Sequence, residues 1–380
     1  MDAMVYSFVI PTLIVAWHMN RGQAGVLGTT TLLISSLGGW LAGVLADRFG
    51  RVRILKLTIL WFALFTFLSG FTTNFGQLLI VRSLQGLGFG GEWAVGSVLI
   101  GETVRSKYRG KSVGTVQAGW AIGWGITAAS YTLFFWILPP TVAWRALFWI
   151  GILPAFLIFY IRRNVEEPGL FRKTADAKLG RAGLLEIFSS PVLSTTLLAS
   201  LVSLGAQGGY YAITNWLPLY LRSVHSLTAI NTGGYLFVVI AGSFAGYLVS
   251  AYLTDRLGRR PTLILFASCS LFTVIAYTVL PIGTRWTLLL GFPLGFFPSG
   301  SFSPMGSFFT ELFPTRFRAS GQGFSYNLGR GVGALFPTLV GYVSAHISLG
   351  QAIALFAAAA YALMIIGVLM LPETRGRELT

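Results

Sequence analysis

The chain has 380 residues, of which 54% are hydrophobic and only 10% charged, with a mean hydropathy of +0.71. So little polar surface cannot clothe a water-soluble globule of this length, which places the chain in lipid. The formal net charge of +15 would raise nucleic acid as a partner for a soluble protein, but here Lys and Arg fall between apolar runs instead of forming one basic face, so they read as orientation in a bilayer and no nucleic acid is expected. A single cysteine, Cys269, excludes an intrachain disulfide framework and a cysteine zinc site, and the three scattered histidines (His18, His225 and His346) form no cluster, so neither metal nor cofactor is expected.

Apolar runs long enough to cross about 30 Å of hydrocarbon predict helices over 1–19, 25–46, 54–74, 77–101, 112–137, 144–161, 191–221, 230–254, 261–281, 286–309, 320–345 and 350–371. The first, Val5 to Trp17, imitates a signal peptide, but it lacks a basic leading region and further spans follow, so it reads as a first span shortened at its start. The expected class is an all-α membrane protein of twelve transmembrane helices. Between the sixth and seventh runs lies the one long polar stretch, with Arg162-Arg163, Glu166-Glu167-Pro168, Arg172-Lys173 and Lys178. The expected organisation is an N-terminal six-helix half (1–161), a cytoplasmic linker with short surface helices (162–190) and a C-terminal six-helix half (191–380).

The two halves carry a repeat. Gly43-Val-Leu-Ala-Asp47-Arg48-Phe-Gly50-Arg51-Val-Arg53 is echoed by Asp255-Arg256-Leu-Gly258-Arg259-Arg260, an offset of 208 for the aspartates, and Glu102 with Arg109 is echoed by Glu311 with Arg318 at 209. Two independent pairs at essentially one spacing predict a duplicated chain. Counting basic residues by alternate loops puts 21 of the 27 on one side, which predicts that both termini are cytoplasmic; Arg21, Arg82, Arg145, Arg222 and Arg285 lie near the other face and Arg330 within a span.

Small residues four apart predict close helix contacts at Gly39 and Gly43, Gly86 and Gly90, Gly119 and Gly123, Gly242 and Gly246, and Gly329 and Gly333. The run Gly86-Leu-Gly88-Phe-Gly90-Gly91 has no strand before it and no Lys-Ser/Thr after it, so it is not a phosphate-binding loop and no ATPase engine is present.

These residues resemble the major facilitator superfamily across essentially the whole chain. Gly43, Asp47, Arg48, Gly50 and Arg51 fit its Gly-x-x-x-Asp-Arg-x-Gly-Arg motif, Arg82-Ser-Leu-Gln85-Gly86 looks like its Arg-x-x-x-Gly motif, and Leu371-Pro372-Glu373-Thr374-Arg375-Gly376-Arg377 resembles the Pro-Glu-Thr-x-Gly ending of many porters. Within it the likeness is to proton-coupled carboxylate symporters of the sialate and lactate type and, more distantly, to aromatic-acid transporters. It rests on Asp2, Gly90-Gly91-Glu92-Trp93, Trp144 to Pro154 and Gly329-Arg330-Gly331. Relatives carry residues before Asp2, so the start is expected to be truncated or misassigned. The resemblance implies two six-helix repeats working by alternating access at the cell (inner or plasma) membrane, as a monomer acting on a small organic anion and protons.

An ionisable group inside hydrocarbon is expensive and calls for a reason. Asp2, Glu92 and Arg330 stand clearly inside predicted spans. Glu92 lies near mid-depth, where low dielectric allows a carboxyl to exist as the neutral acid and so to load and release a proton. It is the first candidate proton carrier, with Asp2 as a second. Arg330, between two glycines, presents a planar fork suited to a carboxylate. The alternative for both is an internal salt bridge, Glu92 with Arg82 or with Arg330. Gln117, Trp120 and Trp124 share a helix face, and Gln207, Tyr210, Tyr211, Thr214 and Asn215 line the seventh span; with Tyr326 and Asn327 they are candidate substrate contacts or, equally, interhelical glue. Asp47, Arg48, Arg51, Glu102 and Arg109, with Asp255, Arg256, Arg259, Glu311 and Arg318, are expected to gate the cytoplasmic side, Asp47 pairing with Arg51 and Glu102 with Arg109; the alternative is a solvated cluster that only orients the protein. A proton-driven exporter and a non-transporting sensor remain as other functions. No nucleophile, metal or nucleotide constellation supports an enzyme.

Overall fold

The computed structural model describes residues 2–19, 21–169, 171, 185–224, 229–281 and 283–379, and its description of side chains excludes 2–4, 21–22, 222–224 and 229–233. Among the described residues there is no strand. The helices of the first part are α1 (Asp2–Trp17), α2 (Arg21–Phe49), α3 (Arg51–Ser69), α4 (Phe75–Thr103), α5 (Arg109–Gln117), α6 (Gly119–Ile137), α7 (Pro140–Trp149) and α8 (Leu157–Asn164). Those of the second are α9 (Ser190–Thr214), α10 (Leu217–Val224), α11 (Ala229–Arg256), α12 (Arg259–Val279), α13 (Thr284–Gly300), α14 (Phe302–Leu312), α15 (Arg318–Gly333), α16 (Phe336–Val343) and α17 (Leu349–Met370).

Grouped by continuity, these helices make the twelve expected spans, five of which are broken in the middle. The breaks follow covalent chemistry. A proline removes a backbone donor and crowds the preceding turn. Pro154 sits in the 3-10 stretch Ile150–Phe156 between α7 and α8, Pro298 and Pro304 flank the α13–α14 junction, and Pro218 and Pro337 follow the ends of α9 and α15. The fifth break, at Ala118 between α5 and α6, has no proline and is followed by Gly119. Seven helical stretches are long and apolar enough to cross a membrane by composition alone. Neither α4 with Glu92, nor α6 with Trp120 and Trp124, nor α15 with Arg330 is among them.

The repeated motif is helical almost throughout, where a loop is the sequence expectation. Helix α2 runs through Asp47 and Arg48, and α3 begins at Arg51, so Gly50 alone turns the chain, at φ 106°. At the second copy α11 runs through Asp255 and Arg256, and Gly258 at φ 112° precedes α12. That backbone region excludes side chains with a Cβ on steric grounds, which accounts for the glycine.

The chain forms two compact units, neither a continuous piece of sequence. One comprises Met1–Leu99, Ile122–Glu186 and Thr315–Asn327; the other comprises Ile100–Ala121, Ile187–Pro314 and Leu328–Thr380. The first is packed around Val5, Val9, Leu13, Leu27, Leu78, Trp144, Leu147 and Phe148 from α1, α2, α4 and α7, with a smaller cluster joining Ala42, Ala46, Ile54, Val95 and Val98 to Ala319 of α15. In the second, α11 lies against α13, and α17 against α9 and α12. Large apolar side chains stand exposed, among them Trp136 at 82%, Phe237 at 71% and Phe272 at 70%, as expected where the solvent is lipid.

Four of the five glycine pairs bring backbones together. A Cβ on Gly242 or Gly246 would overlap the carbonyl oxygen of Phe292 or Phe296, whereas one on Gly119 would meet nothing within 4 Å. Gly246→Ala is therefore expected to cost about 1–3 kcal/mol through forced separation of α11 and α13, and Gly119→Ala nothing. Thermal melting of the two detergent-purified variants checks this; equal melting temperatures would contradict the packing.

Candidate functional site

In the first unit, the carboxylate of Asp47 covers the amino end of α15. It accepts from the backbone N–H of Ala319 at 3.2 Å, from that of Ser320 at 2.8 Å and from the Ser320 hydroxyl at 2.6 Å. A helix start leaves backbone donors unsatisfied and carries a positive partial charge, and a carboxylate meets both needs. Arg51, one turn after Asp47, lies 3.1 Å from its Oδ1, donates to the carbonyls of Ala46 and Thr315 at 3.1 Å each, and stacks over the Phe171 ring. Glu167 in turn accepts from the backbone N–H groups of Arg51, Val52 and Arg53 at 2.8, 2.9 and 3.2 Å, closing the start of α3.

The second unit repeats this plan. Asp255 accepts from Gly110 N–H at 3.0 Å and Lys111 N–H at 2.7 Å, the start of α5, and pairs with Arg259 at 3.0 Å. Glu373 accepts from Arg259 and Arg260 N–H at 2.9 Å each, the start of α12. Here a second carboxylate joins. Glu311 takes Arg259 in a two-pronged contact at 2.8 and 2.9 Å, Arg109 at 3.0 Å and the Thr374 hydroxyl at 2.6 Å. Arg109 also donates to the Gly101 carbonyl at 2.8 Å and the Arg377 carbonyl at 3.1 Å.

The structure thus pairs Asp47 with Arg51 as the spacing predicts, and brings Arg109 to Glu311. Glu102 is half-buried at the end of α4, Arg318 is buried and donates to the Thr315 hydroxyl, and Arg48 and Arg256 lie at exposed positions. Asp47, Arg51, Arg109, Arg259 and Glu311 are sealed from solvent to within a few per cent, so these are not solvated surface pairs.

The residues inside the spans fall in two groups. In the first unit α4 carries Glu92, half-buried, beside Trp93, and the amino half of α15 packs on it: the Trp93 and Tyr326 rings are 5.7 Å apart, and the Asn327 amide donates to the Gly90 carbonyl at 3.2 Å. In the second unit the carboxyl half of α15 carries Arg330, 5% exposed. Its neighbours Gly329 and Gly333 lie against Ser203, Leu204, Gln207 and Gly208 of α9. Gln207 accepts from the Tyr211 hydroxyl at 3.1 Å, and the Tyr210 ring meets Phe302 edge-on at 5.5 Å. Arg330, Gln207, Tyr210 and Tyr211 therefore sit on apposed helices. Gln117 is buried at the end of α5, while Trp120 and Trp124, beyond the break at Ala118, are half-buried on α6 and fall in different units. Thr214 and Asn215 bond back to the carbonyls of Tyr210 and Tyr211 in their own helix, and Asn215 is exposed. Asp2 opens α1, but its side chain lies outside the described residues, as do residues 170 and 172–184 of the polar linker.

Sequence reasoning missed Glu167, Glu373 and Thr374. A signal was present: Glu167 and Glu373 stand 206 residues apart, close to the offset of the motif, each beside a proline just beyond a sixth span.

Comparison with known proteins bears on the family and the fold. A family model described as Major Facilitator Superfamily matches residues 1–337. A "Probable 4-methylmuconolactone transporter" of Cupriavidus pinatubonensis is 45% identical over 377 residues, covering 99% of this chain and 87% of the relative. A cis,cis-muconate transport protein of Acinetobacter baylyi is 28% identical over 381 residues, covering 98% and 91%. Among solved structures the proton:xylose symporter XylE has a similar fold, with a TM-score of 0.83 at 17% identity over 100% of this chain and 94% of that one. With its all-helical spans, its duplicated charge clusters and this match, the chain belongs to the major facilitator superfamily and is a multi-pass membrane protein of the secondary-transporter type.

Proposed function

We propose that the chain takes up an organic acid together with protons across the inner membrane, with both termini on the cytoplasmic side as the distribution of Lys and Arg favours. Arg330 carries this reading. A guanidinium 5% exposed within a transmembrane helix is costly, and it stays charged where a lysine would give up its proton. Its two-pronged donor geometry matches a carboxylate. The names of the relatives support the class: a muconate is an unsaturated dicarboxylate and a muconolactone an unsaturated lactone acid, and they extend the sialate and lactate class implied by the motifs.

Glu92 is the proposed proton carrier, with Asp2 in support. Protonation from outside removes a negative charge from α4 and lowers the repulsion felt by an incoming anion. The anion then pairs with Arg330, with Gln207, Tyr210 and Tyr211 on the apposed α9 as further contacts. The charge clusters around Asp47 and Asp255 break and remake as the protein alternates between its two faces.

Three measurements test these roles. Uptake of muconate into proteoliposomes is expected to rise with an inward proton gradient; Glu92→Gln is expected to keep exchange and lose gradient-driven accumulation, and full accumulation in that variant would overturn the coupling role. Arg330→Ala is expected to weaken carboxylate binding by at least about tenfold, the scale of a hydrogen bond to a charged group, in titrations against muconate, sialate, lactate and aromatic acids, while size-exclusion behaviour stays unchanged. Unaltered affinity would remove Arg330 from the site. Asp255→Ala deletes a helix cap of about 0.5–2 kcal/mol. That is enough to shift a two-state equilibrium roughly tenfold, so transport rates are expected to change by that order with binding affinity little affected; an unchanged rate would reduce the cluster to a structural role.

A further inference from the structure

The contact between α4 and the amino half of α15 leaves one donor over. On α4, Gly90, Trp93 and Ser97 are three and four residues apart and share a face. On α15 they meet Asn327, Tyr326 and Gln322. Asn327 donates to the carbonyls of Gly90 at 3.2 Å and Gly323 at 3.0 Å. Gln322 donates to the Ser97 hydroxyl, which itself donates to the Trp93 carbonyl at 2.7 Å. The two aromatic rings lie 5.7 Å apart, tilted by 46°. The indole N–H of Trp93 differs from these amides and this hydroxyl: its nitrogen is sealed from solvent and has no acceptor among the described residues.

An unmade hydrogen bond away from water destabilises a protein, and the penalty is avoidable: phenylalanine would fill much of the same space with no donor to satisfy. The residue as a whole is partly exposed although its indole nitrogen is sealed, so part of the side chain can be reached. It belongs to the residue directly after Glu92. A donor held unmade beside a proton-carrying carboxyl, on a platform of two rings, fits an acceptor that arrives with the substrate.

We propose that Trp93 contacts the carried acid. Its indole N–H donates to a carboxylate or lactone-carbonyl oxygen, and the Trp93 and Tyr326 rings lie against the flat conjugated part of the molecule, so this pair selects unsaturated acids over saturated ones of the same length. The inference rests on the organic-acid reading and adds a contact formed within the first compact unit. Rings accept flat π-systems face to face or edge to face, and a saturated chain of the same length forfeits that contact.

The test compares cis,cis-muconate with adipate, its saturated counterpart, in binding titrations and proteoliposome uptake. Wild-type protein is expected to prefer muconate. Trp93→Phe keeps a ring and removes the N–H, and is expected to weaken binding of both diacids about tenfold while much of the preference for muconate persists. Trp93→Leu removes ring and donor, and is expected to abolish the preference as well. Trp93→His, which restores a ring N–H, is expected to recover part of the affinity lost in Trp93→Phe. Muconate affinity in Trp93→Phe equal to wild type, or a preference intact in Trp93→Leu, would overturn the proposal. Should Trp93→Phe fail to fold, Tyr326→Leu, which removes the facing ring and leaves the donor, carries the test: a lowered preference supports the pair and an unchanged one overturns it. Wild-type protein that binds neither diacid nor any other organic acid would instead overturn the reading on which the inference rests.

Discussion

A carboxylate placed at the amino end of a distant helix is the interaction on which this structure depends. Asp47 bonds to residues 272 and 273 positions further on, and Asp255 to residues 144 and 145 positions earlier. Where they are sealed from water, the unsatisfied N–H groups at a helix start need a partner from the protein itself. A short acidic side chain at the end of another helix supplies one and complements the positive end of the dipole. The rest of each cluster follows. Arg51 and Arg259 balance the aspartates, Gly50 and Gly258 allow the chain to turn within one residue, and Glu167 and Glu373 close the helices that those turns begin. Each compact unit is thereby stitched from separate pieces of sequence.

Magnitudes separate these clusters from ordinary surface pairs. Arg316 with Glu186 is substantially exposed, and such a pair contributes about 0–1 kcal/mol. Glu311 is fully buried and serves two guanidiniums and a hydroxyl, so its removal takes a carboxylate from two buried cations and leaves Arg259 with Asp255, a change of about 3–5 kcal/mol. A network of that strength holds a conformation, and a network whose members sit at helix ends is released by small movements of those helices. Strength and position together make it suitable for gating. The C-terminal tail is part of it, through Glu373, Thr374 and the carbonyl of Arg377.

Helix α15 serves both units, its amino half through Tyr326 and Asn327 and its carboxyl half through Arg330. Its sequence explains the capacity: Gly323, Gly329 and Gly333 permit close approach to α2 and α9, and the space not taken by bulky side chains is used by polar ones. The same composition keeps α15 below the apolarity of a simple lipid-facing span. Helices α4 and α15, which carry Glu92 and Arg330, are poor in the feature that makes spans easy to recognise.

Much of the fold was legible because it is imposed by one solvent property. Hydrocarbon demands long apolar helices, so hydropathy alone yields twelve spans, and proline marks where most of the broken ones break. The repeated Asp-Arg-x-Gly-Arg string exposed the duplication, and Glu92 and Arg330 stood out because charge is rare in lipid. Less was legible where the outcome depends on which helix ends meet. The motif reads as a loop but is two helix ends joined at a glycine; Arg109 has a carboxylate seven residues before it in Glu102, yet it bonds Glu311, 202 residues away.

The sequence by itself determined the solvent, the number of spans, the duplication and the superfamily, because these follow from composition, period and short motifs that act locally. Only the tertiary structure decided the partners: that Asp47 and Asp255 close helices from the other half of the sequence, that Glu167 and Glu373 join them, and that one indole N–H beside Glu92 has no acceptor among the described residues. Hydrogen bonds have a reach of about 3 Å and a required direction, and neither is encoded by spacing along the chain once residues hundreds of positions apart are brought side by side.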